Sequence, residues 1–188
     1  MALPQPIPTF GPDDYLAWEA SQTERHEYVQ GEVFAMAGGE DRHASASLNL
    51  ASALRSHLRG QRCRTYMADV KLQVDAADAF FYPDVFVTCS ERDAANRLVK
   101  RDAVLVAEVL SPSTAAYDRG GKFARYRQCP SLQEYVLIDL DTRSIDLFRK
   151  APDGLWVLHP LVSGDVLTLQ SVDLSLPVDD VFEDLESD

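Results

Sequence analysis

The run Val104-Leu105-Val106-Ala107-Glu108-Val109-Leu110-Ser111-Pro112-Ser113-Thr114 sets the reading of this chain. Its first seven residues are apolar except Glu108. Such a run predicts a strand over 104–110 covered on both faces, the usual place of a central strand. A carboxylate there is costly to desolvate unless a cation or hydrogen bonds compensate it. Ser111 to Thr114 reads as a turn, and a helix over 118–128 follows, closed by Cys129-Pro130. Helical spacing sets Asp118, Lys122 and Tyr126 at i, i+4 and i+8, roughly on one face. Lys122 is then either a solvated lysine paired with Asp118 or a lysine folded back to the carboxyl end of the strand. In the second case it can hold a water or neutralise a phosphate.

Upstream, Tyr82-Pro83-Asp84-Val85-Phe86-Val87 is a second strand, with its proline at the start, where no ladder donor is missed. Asp84 or Glu108 alone reads most simply as the partner of an arginine or as an exposed strand-edge acid. Together, on neighbouring apolar strands, they can share one divalent cation, and oxygen ligands suit magnesium or manganese rather than zinc. Further out, residues 26–39 hold two short apolar runs around Gln30-Gly31, a hairpin that ends at Gly38-Gly39. Glu27 lies at its mouth and by itself reads as a solvated strand-end glutamate. A helix over 41–60 carries Ala44, Leu48, Ala51 and Leu54 or Leu58 at helical spacing. His43, near its start, reads as a cap or a phosphate contact. A short helix spans 14–20. Residues 65–74 read as one strand, whose Asp69 and Lys71 can flank the site. Strands at 134–140, 144–149, 155–161 and 166–169 close the pattern, with Val181, Phe182 and Leu185 able to dock as a last helical turn. Ser111 and Ser113 lack a GxSxG context, so a serine hydrolase is not supported.

The pattern is α+β, without regular βαβ alternation and without a glycine-rich phosphate loop. Of 188 residues, 46% are hydrophobic, enough for a core. Residues 1–10 read as an extended arm, 11–182 as a single domain and 183–188 as an acidic tail. Lys plus Arg number 18 against 30 Asp plus Glu, a net charge of −12. That excludes a protein that coats nucleic acid through bulk positive charge, though not an enzyme with a metal and a local basic patch. Cys63, Cys89 and Cys129 are far apart and odd in number, so neither a zinc site nor a disulfide is expected and a reducing compartment fits. The start of the chain lacks the pattern of a secretory signal, and no apolar run is long enough to span a membrane.

The order Glu27-Tyr28-Val29-Gln30-Gly31-Glu32, His43, Tyr82-Pro83-Asp84-Val85, Glu108 to Thr114, Asp118…Lys122…Tyr126, Glu134-Tyr135 and Ile138-Asp139 resembles the Uma-type family of restriction endonucleases, within the PD-(D/E)XK nuclease superfamily. The resemblance covers residues 9–181. It implies a restriction-endonuclease-like mixed β-sheet core flanked by helices. Asp84 matches the aspartate of the PD half-motif and Glu108 the acid of the second half. Leu110 stands where the superfamily carries its lysine, and Lys122 on the following helix takes that place. Glu27 matches an auxiliary acid. The implied activity is hydrolysis of nucleic acid phosphodiesters, with DNA the expected polymer. Asp84, Glu108 and the Val109 carbonyl would hold Mg2+ or Mn2+, and Glu27 a second ion or a water. Lys122 would serve the attacking water, with His43, Ser113 and Tyr126 as substrate contacts. A homodimer and a cytoplasmic setting go with that activity. The alternative is a catalytically silent dimeric interaction or regulatory domain on the same scaffold. A third reading is a metal hydrolase of another substrate, using the same carboxylates.

Overall fold

The computed structural model describes residues 10–36 and 40–185. The arm expected over 1–10, apart from Phe10, the Gly38-Gly39 end of the hairpin and the last three residues of the acidic tail lie outside that range. In chain order the elements are α1 (Pro12–Glu19), β1 (His26–Val29), β2 (Glu32–Ala35), α2 (Asp41–His57), β3 (Arg64–Met67), β4 (Lys71–Val74), β5 (Ala79–Phe81), β6 (Val85–Thr88), α3 (Glu91–Ala95), β7 (Val99–Lys100) and β8 (Ala103–Val109). There follow α4 (Ala115–Tyr117), a π-helical turn (Asp118–Lys122), α5 (Phe123–Tyr126), β9 (Glu134–Asp139), β10 (Ser144–Lys150), β11 (Trp156–Leu161), β12 (Val166–Leu169), β13 (Leu174–Pro177) and α6 (Val178–Val181). The class is the expected mixed α+β.

A six-stranded sheet, ordered β11-β10-β9-β8-β6-β3, is the backbone of the fold. Its β8 and β9 run parallel and its other pairs antiparallel. Parallel neighbours need a crossover, and the helical stretch from α4 to α5 provides it. Strand β8 is central, as its continuous apolar run predicts. Leu105, Ala107 and Val109 pack on one face with Leu50 and Leu54 of α2 and with Val181 and Phe182. Val106 packs on the other with Phe86, Tyr126 and Tyr135. Alternation therefore turns Glu108 toward the second face, under the crossover helix. A five-stranded sheet, β2-β1-β5-β4-β7, and the β12–β13 hairpin complete the layers. Gln30 and Gly31 both have positive φ, 51° and 91°, the two-residue turn that the Gln30-Gly31 reading requires.

Four expectations are corrected. Residues 65–74 form two strands in different sheets, not one. The chain turns over Ala68 to Val70, where the Val70 amide donates back to the Met67 carbonyl at 3.2 Å. The alternation of Val70, Leu72 and Val74 belongs to β4 alone. On α2 the buried stripe is Ala46, Leu50, Ala51, Leu54 and Leu58, while Leu48 is exposed. Asn49 beside it donates to the Val181 and Glu183 carbonyls and seats the C-terminal segment, whose Leu185 is buried. The crossover helix starts at Ala115, before Asp118, and contains a π turn. Finally, Cys63 and Cys89 are joined in a disulfide. The register pairs Arg64 with Thr88, so the next residues out, Cys63 and Cys89, face each other with Cα atoms 4.0 Å apart. Sequence separation hides that neighbourhood. Cys129 remains a buried free thiol. No helix among the described residues is long and apolar enough to cross a membrane.

Candidate active site

Strand register places the first two acids. Val85 pairs with Ala107 as the last rung between β6 and β8. Pro83 has no N–H to extend the ladder, and the Asp84 side chain takes over: its Oδ2 accepts from the Val109 amide at 2.8 Å. In return, the Asp84 amide donates to Glu108 Oε2 at 3.3 Å. The two half-motifs therefore clasp each other through side chain and backbone. Asp84 Oδ1 accepts no hydrogen bond among the described residues.

Lys122 comes down on this clasp from the crossover. Its ammonium lies 3.0 Å from Glu27 Oε1, 3.1 Å from Glu108 Oε1 and 3.7 Å from Asp118 Oδ1. The Tyr126 hydroxyl donates to Glu108 Oε1 at 2.8 Å. Glu108, Asp118 and Lys122 are 3%, 3% and 7% exposed, so the cluster is shielded from water. Glu27 on β1 also accepts from the Tyr82 amide at 3.4 Å, which ties it to the residue before Pro83. His43, from the first turn of α2, sets its Nε2 3.2 Å from Asp84 Oδ2. Of the residues singled out in the sequence, Glu27, Asp84, Glu108, Val109, Lys122, Tyr126 and His43 thus form one connected network. Ser113 does not join it: its hydroxyl pairs with the Ser111 hydroxyl at 3.1 Å, within the turn. Lys71 places its ammonium 5.1 Å from the Tyr82 ring centroid, and Asp69 pairs with Arg25.

Asp118 is the acid that the sequence reading left outside the site. Its spacing to Lys122 was visible, but helical spacing alone made the pair look like a surface contact. Burial changes its meaning. The Tyr135 hydroxyl donates to the Asp118 carbonyl at 3.0 Å and fixes the start of the π turn. A second supporting group also escaped the sequence reading. Buried Glu19 accepts from the Tyr82 hydroxyl at 2.8 Å and from the His26 amide at 3.0 Å, and so braces the strand that carries Glu27. Only the folded contacts reveal it.

The charges do not balance. Glu27, Asp84, Glu108 and Asp118 face one lysine and one histidine. Burial, less the pull of Lys122 and reinforced by Asp84, Asp118 and Glu27, pushes the Glu108 carboxyl up to about 8. Burial alone would strip the proton from Lys122, but Glu108, Glu27 and Asp118 together hold its pKa above the ordinary lysine value. The hydrogen bond to Asp84 raises His43, against the opposing effect of burial. The site is a largely buried cluster of four acids, one lysine and one histidine, in which the Glu108 carboxyl is pushed upward.

Among the described residues no three His, Cys, Asp or Glu side chains cluster closely enough to hold an ion by themselves. Magnesium asks for less, one or two carboxylates with the rest of its shell supplied by water and other oxygens. Asp84, with Oδ1 open, Glu108 and the Val109 carbonyl supply oxygen donors of the chemical kind such a shell takes. The residues fit the group.

Comparison with known proteins bears on the chain as a whole. A family model described as "Putative restriction endonuclease", Uma2, matches residues 12–179. The chain belongs to the Uma2 family. Two curated relatives come from Synechocystis sp. One, "Uncharacterized protein slr1290", is 41% identical over 96% of this Uma2 chain and 95% of its own length. The other, "Uncharacterized protein sll1609", is 33% identical over 79% and 85%. A crystal structure titled as a putative nuclease belonging to DUF820, from Anabaena variabilis, superposes with a TM-score of 0.75 at 18% identity, covering 90% of this chain and 96% of that one. At that identity the likeness is one of fold. Family and fold together support a nuclease-like function for this Uma2 protein.

Proposed function

We propose that the chain is a magnesium- or manganese-dependent endonuclease that hydrolyses phosphodiesters of nucleic acid, with DNA as its substrate. The observation that carries this reading is the meeting of Lys122 with Glu108 and Glu27 at 3.1 and 3.0 Å, from a helix that follows Leu110, the residue standing where the superfamily carries its lysine.

Asp84, Glu108 and the Val109 carbonyl are the residues that would hold the metal. When bound, the metal lowers the pKa of a bound water and neutralises charge on the scissile phosphate. The protein's own groups do the remaining work. Lys122 positions the attacking water and screens the charge that builds on phosphorus. Glu27 shares the Lys122 ammonium with Glu108 and would orient a second water or ion. Tyr126 fixes the Glu108 carboxylate through its hydroxyl. His43, already on Asp84, is the residue of the cluster that would contact a phosphate oxygen. The water gives up a proton to solvent as its oxygen bonds to phosphorus, one ester P–O bond breaks, and the departing oxygen takes up a proton from solvent. A homodimer would bring two such sites to the two strands of a duplex. A cytoplasmic setting goes with a nucleic acid substrate, and the Cys63–Cys89 bond is the feature that weighs against it.

The test is an assay with magnesium and with manganese on plasmid, single-stranded DNA and RNA. Metal-dependent cleavage by the unaltered protein, lost in Asp84→Ala, supports the reading. No cleavage of any polymer with either metal overturns it. The second reading is a silent interaction domain on the same scaffold. It is favoured by the net charge of −12 and by a lysine already neutralised by its acids. In that case calcium and manganese leave the melting temperature unchanged.

A further inference from the structure

Beside the acid cluster stands a group that this chemistry leaves unused. Tyr117, the residue before Asp118, is 39% exposed. Its ring packs directly on Gly121. A Cβ at position 121 would meet the ring's Cε2 at 2.6 Å and its Cδ2 at 2.8 Å, so only glycine admits the ring there. The Arg125 guanidinium lies 6.0 Å from the ring centroid and donates from Nη1 to the Gly121 carbonyl at 2.9 Å. Arg119 on the same turn is consumed by Asp139 and Asp146. Arg125 has no carboxylate partner among the described residues, so its charge is available to a ligand.

The π-helical turn Asp118–Lys122 carries both Gly121 and Lys122. The device that delivers the lysine to the acids therefore also seats the ring. Turns of this type recur at functional sites. One other aromatic side chain among the described residues is as exposed. Phe34, at 49%, is the register partner of Glu27 and shares its face of the β1–β2 ribbon. Among the described residues, one open ring thus precedes the turn that carries Lys122 and the other stands across the ribbon from Glu27. A chain with a net charge of −12 gains little affinity for a polyanion from its overall field. Stacking of bases on aromatic faces does not depend on that field, and it is contributed by bases that are unpaired.

We propose that Tyr117, seated on Gly121 and backed by Arg125, is a stacking platform for an unpaired base next to the scissile phosphate. The substrate class is then single-stranded or locally opened nucleic acid. This inference rests on the nuclease reading and narrows it.

The experiment measures binding of a dye-labelled single-stranded oligodeoxynucleotide and of its duplex, in calcium at fixed salt. Unaltered protein is compared with Tyr117→Phe and Tyr117→Leu, each checked for an unchanged melting temperature. The unaltered protein binds the single strand more tightly than the duplex. Tyr117→Phe retains that affinity, because the ring remains. Tyr117→Leu loses affinity for the single strand on the order of tenfold, with a smaller change for the duplex. Equal single-strand binding by Tyr117→Leu, or a preference of the unaltered protein for duplex, overturns the platform and leaves the nuclease reading standing. Failure of the unaltered protein to bind or cleave any nucleic acid overturns both.

Discussion

Lys122 holds one positive charge against Glu27, Glu108 and Asp118, all within 3.7 Å of its nitrogen. Removing one partner of a buried ionic group costs about 3–5 kcal/mol, because the charges left behind are uncompensated. Lys122→Met should therefore lower the thermal stability of the metal-free protein and abolish cleavage. Full cleavage by that variant would refute the role given to the lysine. Glu108 supplies a pH dependence with a definite sign. Its folded pKa, about 8, lies above its ordinary value of 4.5. Between those values the folded state holds a proton that the unfolded state has released. Its contribution is complete below 4.5 and is lost as pH rises through 8, with a slope of up to about 1.4 kcal/mol per pH unit. In the presence of chelator, Glu108→Gln should flatten the fall in melting temperature between pH 5 and 8 relative to the unaltered protein. An identical slope in the two proteins would show that Glu108 does not carry the proton. Metal binding below pH 8 should in turn release protons, and calorimetry in buffers of different ionisation enthalpy would count them. Glu27→Gln should reduce that release, since one acid fewer then holds the shared proton in place.

The elements were legible to the degree that burial and spacing agree. Strand β8 announced itself because a central strand needs apolar residues on both faces, and Glu108 stood out against them. Asp84 was legible through Pro83, which marks where a ladder must end. The crossover helix was legible as a helix but not as a broken one. Gly120-Gly121 gave no sign that the backbone widens there, because a π turn depends on what the ring of Tyr117 and the ammonium of Lys122 must reach. The turn between β3 and β4 was missed for a related reason: alternation can continue in phase past a change of sheet. The disulfide was invisible because only strand pairing brings positions 63 and 89 together. It closes a loop of 26 residues, worth about 3.5 kcal/mol on a chain-entropy estimate. Cys63→Ser with Cys89→Ser should lower stability by roughly that amount. It should leave cleavage intact, because Cys89 follows the end of β6 opposite to Asp84. Loss of activity at unchanged stability would show a coupling that the strand geometry does not provide.

At the scale of the molecule, the charge of −12 makes a cation at the pocket more favourable and a polyanion elsewhere on the surface less so. A saturating metal should stabilise the fold by about 2.7 kcal/mol at a hundredfold excess over its dissociation constant. Calcium, manganese and magnesium should each raise the melting temperature, and Asp84→Asn should abolish the rise. An equal rise in Asp84→Asn would place the ion elsewhere. The family was readable from the order of its motifs, while the number of sheets and the support from Glu19 were not, because those depend on contacts distant in sequence. The parallel pairing of β8 with β9 has a further consequence, for the birth of the protein. During synthesis the amino-terminal segments emerge first, at roughly 5–20 residues per second. Glu27 and Asp84 leave the ribosome well before Lys122, Glu108 shortly before it, and β8 gains its second neighbour only when residues 134–139 follow. Contacts so distant along the chain form late. A nascent or prematurely terminated chain therefore has acids without their lysine and a central strand without its partner. Under the proposed nuclease reading, an unfinished chain would lack the assembled site.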